Sequence, residues 1–221
     1  MAQFRSLEMK SMWLAVLVLF VSACSVESVD EIEVRANFDL YRQSLIDRNG
    51  EVSRSYVSAS TIEYYESLRA LALYETEEAL NQAVIIDRLT VYRIRAEWTG
   101  EQLETMTGAE VFIYAVDEGW VGSNLGALDI VSVRIFGDSA TTNLSVNGER
   151  MPWGFTFHKE EGAWRLDLAS MMTLMNGAMI QQIDQIEMTE MEFIDFFLRS
   201  SGYSNGADGR ILNPLVSTEP N

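Results

Sequence analysis

One cysteine, one histidine and 16 basic residues against 33 acidic ones leave this 221-residue chain short of what most active sites and nucleic-acid surfaces require. Cys24 has no second thiol to pair with, so the fold has to stand on packing alone. His158 cannot build a zinc site with one cysteine, and any Ser-His-Asp or Cys-His engine would have to form around it. There is no Walker loop, no Gly-x-Gly-x-x-Gly after a strand and no EF-hand spacing. Gly119-Trp120-Val121-Gly122 and the segment Gly122 to Gly126 fit none of these patterns and read as a connection. The formal net charge of −17 repels phosphate backbones and anionic headgroups, which argues against a nucleic-acid partner. It reads instead as solubility in salty surroundings. Glu75, Glu77 and Glu78 read as a solvated helix start rather than a calcium site. No cofactor and no metal is expected. The longest apolar run, Met12 to Ala23, falls short of the ~20 residues a membrane-spanning helix needs.

That run has the form of a secretory signal core behind a weakly positive start, Arg5 and Lys10 against Glu8. It ends Val21-Ser22-Ala23-Cys24, which resembles the lipobox of bacterial lipoproteins. The plainer alternative is an ordinary signal peptide with a cysteine nearby. The resemblance implies cleavage before Cys24, acylation of Cys24 and attachment to a membrane through that lipid. Ser25 stands where an aspartate would favour inner-membrane retention, so the implied address is the outer membrane, facing the periplasm. More than one acyl chain makes such an anchor firm, at ~0.8 kcal/mol per buried CH₂.

The expected organisation is a signal peptide over 1–23, a tether over 24–30, a single domain over 31–200 and a flexible tail over 201–221. Val34, Phe38, Tyr41, Leu45 and Ile46 recur at helical spacing before Asn49-Gly50. Ser60 with Glu63 has capping-box spacing. Thr76 opens a helix expected to run through Leu80, Val84 and Leu89. Thr99 with Gln102 and Thr107 with Glu110 repeat the signal, although Val111 to Tyr114 also fits a strand. From Ala127 to Phe136 the period changes to two. Asn147-Gly148 predicts a two-residue hairpin with Leu144 facing Met151 and Thr142 facing Trp153. A second hairpin around Glu160-Glu161-Gly162 pairs Phe157 with Leu166 and His158 with Arg165. Met151, Trp153, Phe155, Phe157, Trp164, Leu166 and Leu168 then share one apolar face, with His158 on the other. Met172, Met175, Met179, Ile183 and Ile186 form a helical stripe, and Thr189 with Glu192 caps a last helix.

Helices followed by a meander of strands predict an α+β domain: N-terminal helices packed on a curved antiparallel sheet, with added C-terminal helices. Asn37 to Leu45 before Asn49-Gly50, and Phe155 to Asp167 with its Gly turn and Trp164-Arg165 pair, resemble the ketosteroid-isomerase-like, nuclear-transport-factor-like superfamily. That resemblance implies a cone-shaped cystatin-like roll with a cavity between sheet and helices. It makes Tyr41, Trp153, Phe155 and Phe157 candidate pocket residues and gives Tyr41 the place of an oxyanion donor. Where such isomerases carry a base, this chain has Ile62-Glu63-Tyr64-Tyr65-Glu66 without a matching pair of acids. Trp153, Phe155, Phe157 and Trp164 read first as core and second as a pocket wall. The methionines read as adaptable core or as a docking strip. The functional expectation is a lipid-anchored envelope lipoprotein, not catalytic, that binds a small apolar ligand or an envelope protein, with a homodimer also open. The alternative is a cryptic isomerase, dehydratase or hydrolase using a pocket acid and Tyr41.

Overall fold

The computed structural model describes residues 27–122 and 125–216; residues 1–26, which include the expected signal segment and Cys24, residues 123–124 and residues 217–221 lie outside the described residues. Helix α1 (Val29–Ile46) begins inside the expected tether, because Ser28 and Glu31 form a reciprocal capping box. Its apolar stripe Val34, Phe38, Tyr41 and Leu45 is buried, while Ile46 stays exposed. Asn49-Gly50 ends α1 and also starts α2 (Gly50–Arg54), with Asn49 as its cap. Only glycine fits at 50, where a Cβ would lie 2.2 Å from the Ile113 carbonyl oxygen.

Helix α3 (Ala59–Tyr74) starts earlier than Ser60. Its N-cap is Ser58, whose N–H donates to the Leu166 carbonyl at 2.9 Å, so a distant strand sets this boundary rather than a local capping box. The helix expected from Thr76 to Leu89 is two helices, α4 (Glu77–Leu80) and α5 (Ile85–Glu97). The break lets Leu80 and Ile85 both reach the core. Both capping boxes downstream form, opening α6 (Gly100–Thr105) and α7 (Gly108–Asp117). Val111 to Tyr114 is therefore helical, with Val111 and Phe112 buried.

The strands β1 (Leu128–Phe136), β2 (Ser139–Val146), β3 (Glu149–Arg150), β4 (Thr156–Glu160) and β5 (Ala163–Asp167) form one antiparallel sheet in the order β1-β2-β4-β5, with β3 on β2. Phe157 pairs with Leu166 and His158 with Arg165, as expected. Asn147 and Gly148, like Glu161 and Gly162, have positive φ, as two-residue turns of this hand require. One register differs. Met151 donates to the Leu144 carbonyl at 2.9 Å, but Thr142 meets Phe155 instead of Trp153. Pro152 has no N–H for the ladder, and the chain slips by two residues before β4 resumes. Gly154 permits the slip, since a Cβ there would lie 1.6 Å from the Thr142 oxygen. Because the slip is even, Phe155 and Phe157 keep the inward face.

Helix α1 crosses that inward face. Asn37 donates to the Trp164 carbonyl at 2.6 Å, and the Asp30 carboxylate accepts from Lys159 at 2.6 Å and from the Trp164 indole at 2.9 Å. Arg42 donates to the Leu128 carbonyl at 3.0 Å, and Arg35 to those of Ile130 and Val131. Val131 is the extra residue of a bulge in β1.

Helices α8 (Met172–Gln185) and α9 (Glu190–Ser200) follow the sheet, and Thr189 with Glu192 caps α9. The inward side of α8 is Met172, Asn176, Met179 and Ile183, not the full methionine stripe. Asn176 takes the place expected for Met175 because its carbonyl oxygen accepts the free N–H of Ile85 at the start of α5, at 3.0 Å. The expected loose tail is corrected for residues 202–216. It carries α10 (Gly209–Leu212), and Ile211 is 2% exposed. Composition suggests looseness here, but Arg95 holds the segment. Its guanidinium, 0% exposed, donates to the carbonyls of Leu71, Ala72 and Glu75 at the end of α3 and of Ile211 and Leu212 in the tail. Burial pushes its pKa down to about 10, which leaves it charged at neutral pH. Arg95→Met is expected to destabilise the fold by on the order of 3 kcal/mol or more in denaturant unfolding, since it orphans several buried carbonyls at once.

Candidate functional site

The expected pocket residues stand in the densest part of the molecule. Tyr41, Phe155 and Phe157 are fully buried, and Trp153 is half-buried at the rim. Phe155 packs between Phe38, with ring centroids 5.3 Å apart, and Trp153, at 6.1 Å. The structure thus brings Phe155 and Trp153 together as a tilted aromatic stack under α1. The Tyr41 hydroxyl has no hydrogen-bond partner, and burial pushes its pKa well up. A neutral donor without an acceptor is what an oxyanion would require, but it is also what tight packing can leave stranded.

Beside this stack a cleft of about 210 Å³ opens between α1 and β1, lined by Arg35, Phe38, Asp39, Arg42, Asp129 and neighbouring backbone. Its cations are already engaged. Arg42 takes Asp39 at 2.8 Å, Arg35 takes Glu27 at 3.0 Å, and both also hold β1 carbonyls. The seven-residue spacing of Arg35 and Arg42 on one side of α1 was the available sequence signal.

His158 points outward, as expected, and stands between Ser139 and Asp167. Its Nδ1 lies 3.4 Å from the Ser139 hydroxyl and its Nε2 3.3 Å from the Asp167 carboxylate. The residue types are those of a catalytic triad, but the two ring nitrogens are exchanged relative to one and both links are long. The string also lies on an open sheet face, where strand N–H groups point along the sheet and cannot converge on an oxyanion. Asp167 turns its other oxygen to the N–H of Ser170 at 3.2 Å, tying β5 to the start of α8.

Asp87 on α5 is a half-buried carboxylate that burial pushes above its usual range, against the hydrogen bond that Tyr64 donates to it at 2.6 Å. Arg93 lies 4.4 Å over the Trp120 ring, next to Trp98 and Tyr114. Glu97 accepts from the hydroxyls of Tyr114 and Tyr203, so this cluster largely satisfies itself. Among the described residues no three His, Cys, Asp or Glu side chains gather to hold a metal ion.

The C-terminal helices differ from all of this. Leu174, Met175, Ile180, Ile186, Met188 and Phe196 are exposed, Phe196 to 56%. Asp184 is the one charged residue of α8. A groove of about 730 Å³ runs where α8 turns into α9, floored by Met188, Met191 and Ala207 and edged by Glu187, Glu192 and Asp195. Of the methionines read in the sequence as core or docking strip, Met175 and Met188 are exposed, Met172, Met179 and Met191 are half-buried and Met171 is buried.

No family model, no curated protein and no solved structure matches this chain.

Two substitutions test the buried groups. Tyr41→Phe removes a stranded hydroxyl and is expected to leave stability unchanged or raise it by about 1 kcal/mol in chemical denaturation; a clear loss would reveal an acceptor. Asp87→Asn keeps an acceptor for Tyr64 and removes a desolvated charge. Because the folded carboxyl titrates above its unfolded value, its charged form is penalised once the pH exceeds the raised value. The thermal midpoint is therefore expected to rise most near neutral pH, with the gain shrinking as the pH falls through the raised value.

Proposed function

We propose that this chain is a lipid-anchored envelope lipoprotein whose domain is a non-catalytic docking module, held to the membrane through Cys24. The observation that carries the docking part is the set of exposed apolar side chains on α8, a helix whose one charged residue is Asp184, in a chain of net charge −17. Exposed apolar side chains in such number on one helix point to an interaction surface. Glu187, Glu192 and Asp195 beside the strip favour a protein partner that presents apolar side chains flanked by basic ones. The packed aromatic interior, with Phe155 and Phe157 at or near zero exposure, weighs against a small apolar ligand as the main occupant.

The anchor reading rests on Val21-Ser22-Ala23-Cys24. It is compatible with the described helices, none of which is long and apolar enough to cross a membrane. From Cys24 to Val29 the chain can reach at most roughly 17 Å, so the lipid would keep α1 close to the headgroups. Asp30 would pass that restraint to β4 and β5 through Lys159 and Trp164.

In a bacterial host, the full chain is expected to fractionate with membranes and incorporate labelled fatty acid. Cys24→Ala should do neither, and a labelled Cys24→Ala chain would sink the anchor. For docking, a photo-crosslinker at Ile180 should give a discrete adduct that Met175→Asp abolishes at unchanged folding. The same group at Thr141, on the outer sheet face, should give none.

A further inference from the structure

We propose that the groove along the end of α3, α5 and α6 is a peptide-docking site, filled in the free molecule by the chain's own residues 211–216 and open to the same segment of a second copy. Recognition here is mostly through backbone. Arg95 donates to the carbonyls of Ile211 at 3.2 Å and Leu212 at 2.9 Å. The N–H groups of Leu215 and Val216 donate to the Ala72 and Leu73 carbonyls at 3.3 and 2.9 Å, adding a second donor to Ala72 beside Arg95 and answering Leu73 at the end of α3. The groove floor is cut to fit, since a Cβ at Gly100 would come within 2.7 Å of the Leu215 oxygen. Ile211, at the end of α10, is the one side chain of the segment that is fully buried, and Leu212, Leu215 and Val216 pack half-buried against the core beside it.

The strap is separable from the body for an electrostatic reason. If residues 211–216 leave, Arg95 keeps the carbonyls of Leu71, Ala72 and Glu75, so no bare buried charge remains. The loop before the strap belongs to α9. Arg199 holds the carbonyls of Ser204 and Asn205 at 2.8 and 3.2 Å, and Asp195 accepts the Ala207 N–H at 2.9 Å. A swing of the strap would therefore turn about Asp208 and Gly209, giving up the Arg210 donation to the Ala96 carbonyl at 2.9 Å, and nothing lies within 4 Å of the position a Cβ would take at Gly209. A second copy is the occupant whose chemistry is already known to fit. Its strap repeats every contact, so exchange costs only the entropy of association.

The test uses a fluorescent synthetic peptide of residues 209–216 and two full-length chains, the natural one and Ile211→Asn. The peptide should bind both, about ten-fold more tightly to Ile211→Asn, whose own strap no longer competes. Light scattering should show a dimer that grows with concentration in the natural chain and is absent in the variant. No binding to a folded variant overturns the proposal. Peptide binding to a natural chain that stays monomeric overturns exchange and leaves the groove to a foreign segment. Should Ile211→Asn fail to fold, hydrogen exchange on the natural chain decides. Leu215 and Val216 amides must exchange through an opening smaller than global unfolding, and exchange only with global unfolding overturns a separable strap.

Discussion

A small sheet leaves two rows of backbone groups unpaired, and closing those two edges constrains most of this structure. At β1 the carbonyls are taken by Arg35 and Arg42, which fixes the rotation of α1 and points Val34, Phe38, Tyr41 and Leu45 into the core. At β5 the edge is covered by the link between α2 and α3. Leu166 donates to the Tyr56 carbonyl and accepts from Ser58, each at 2.9 Å, and Val57 bridges Leu166. Helix α3 is placed by that link and α1 by the other edge. The core between them then has room only for packed aromatic and aliphatic side chains.

How much of this could be read from residues alone follows the range of the interactions. The boxes at Thr99, Thr107 and Thr189 are local, and each opens a helix where the spacing placed it. Both tight turns and the pairing of β4 with β5 were legible for the same reason. Ser58 was not, because its role comes from a strand more than a hundred residues away. The ordered tail was hidden too. Nothing in Gly202 to Val216 announces that an arginine on α5 will collect its carbonyls.

The candidate site divides along the same line. That Phe155, Phe157 and Trp164 share a face was readable by counting, and they do share it. Whether that face is a wall or a filling depends on Phe38 stacking onto Phe155, which no spacing reveals. The outward turn of His158 was legible, but its place between Ser139 and Asp167 needed the sheet. The exposed strip of α8 came as a methionine-rich run in the sequence, and only the structure separates Met175, facing out, from Met179, facing in.

The slip between Met151 and Phe155 carries a rule of parity. Residues can be gained or lost between β3 and β4 in pairs without turning Phe155 and Phe157 to solvent, whereas a single insertion would invert both and everything they touch. Pro152 and Gly154 together act as a counter for this stretch, one breaking the ladder and the other letting it restart against Thr142. Lineages of this chain should therefore vary in length at that point by even steps, and an odd step should appear only alongside a compensating one nearby.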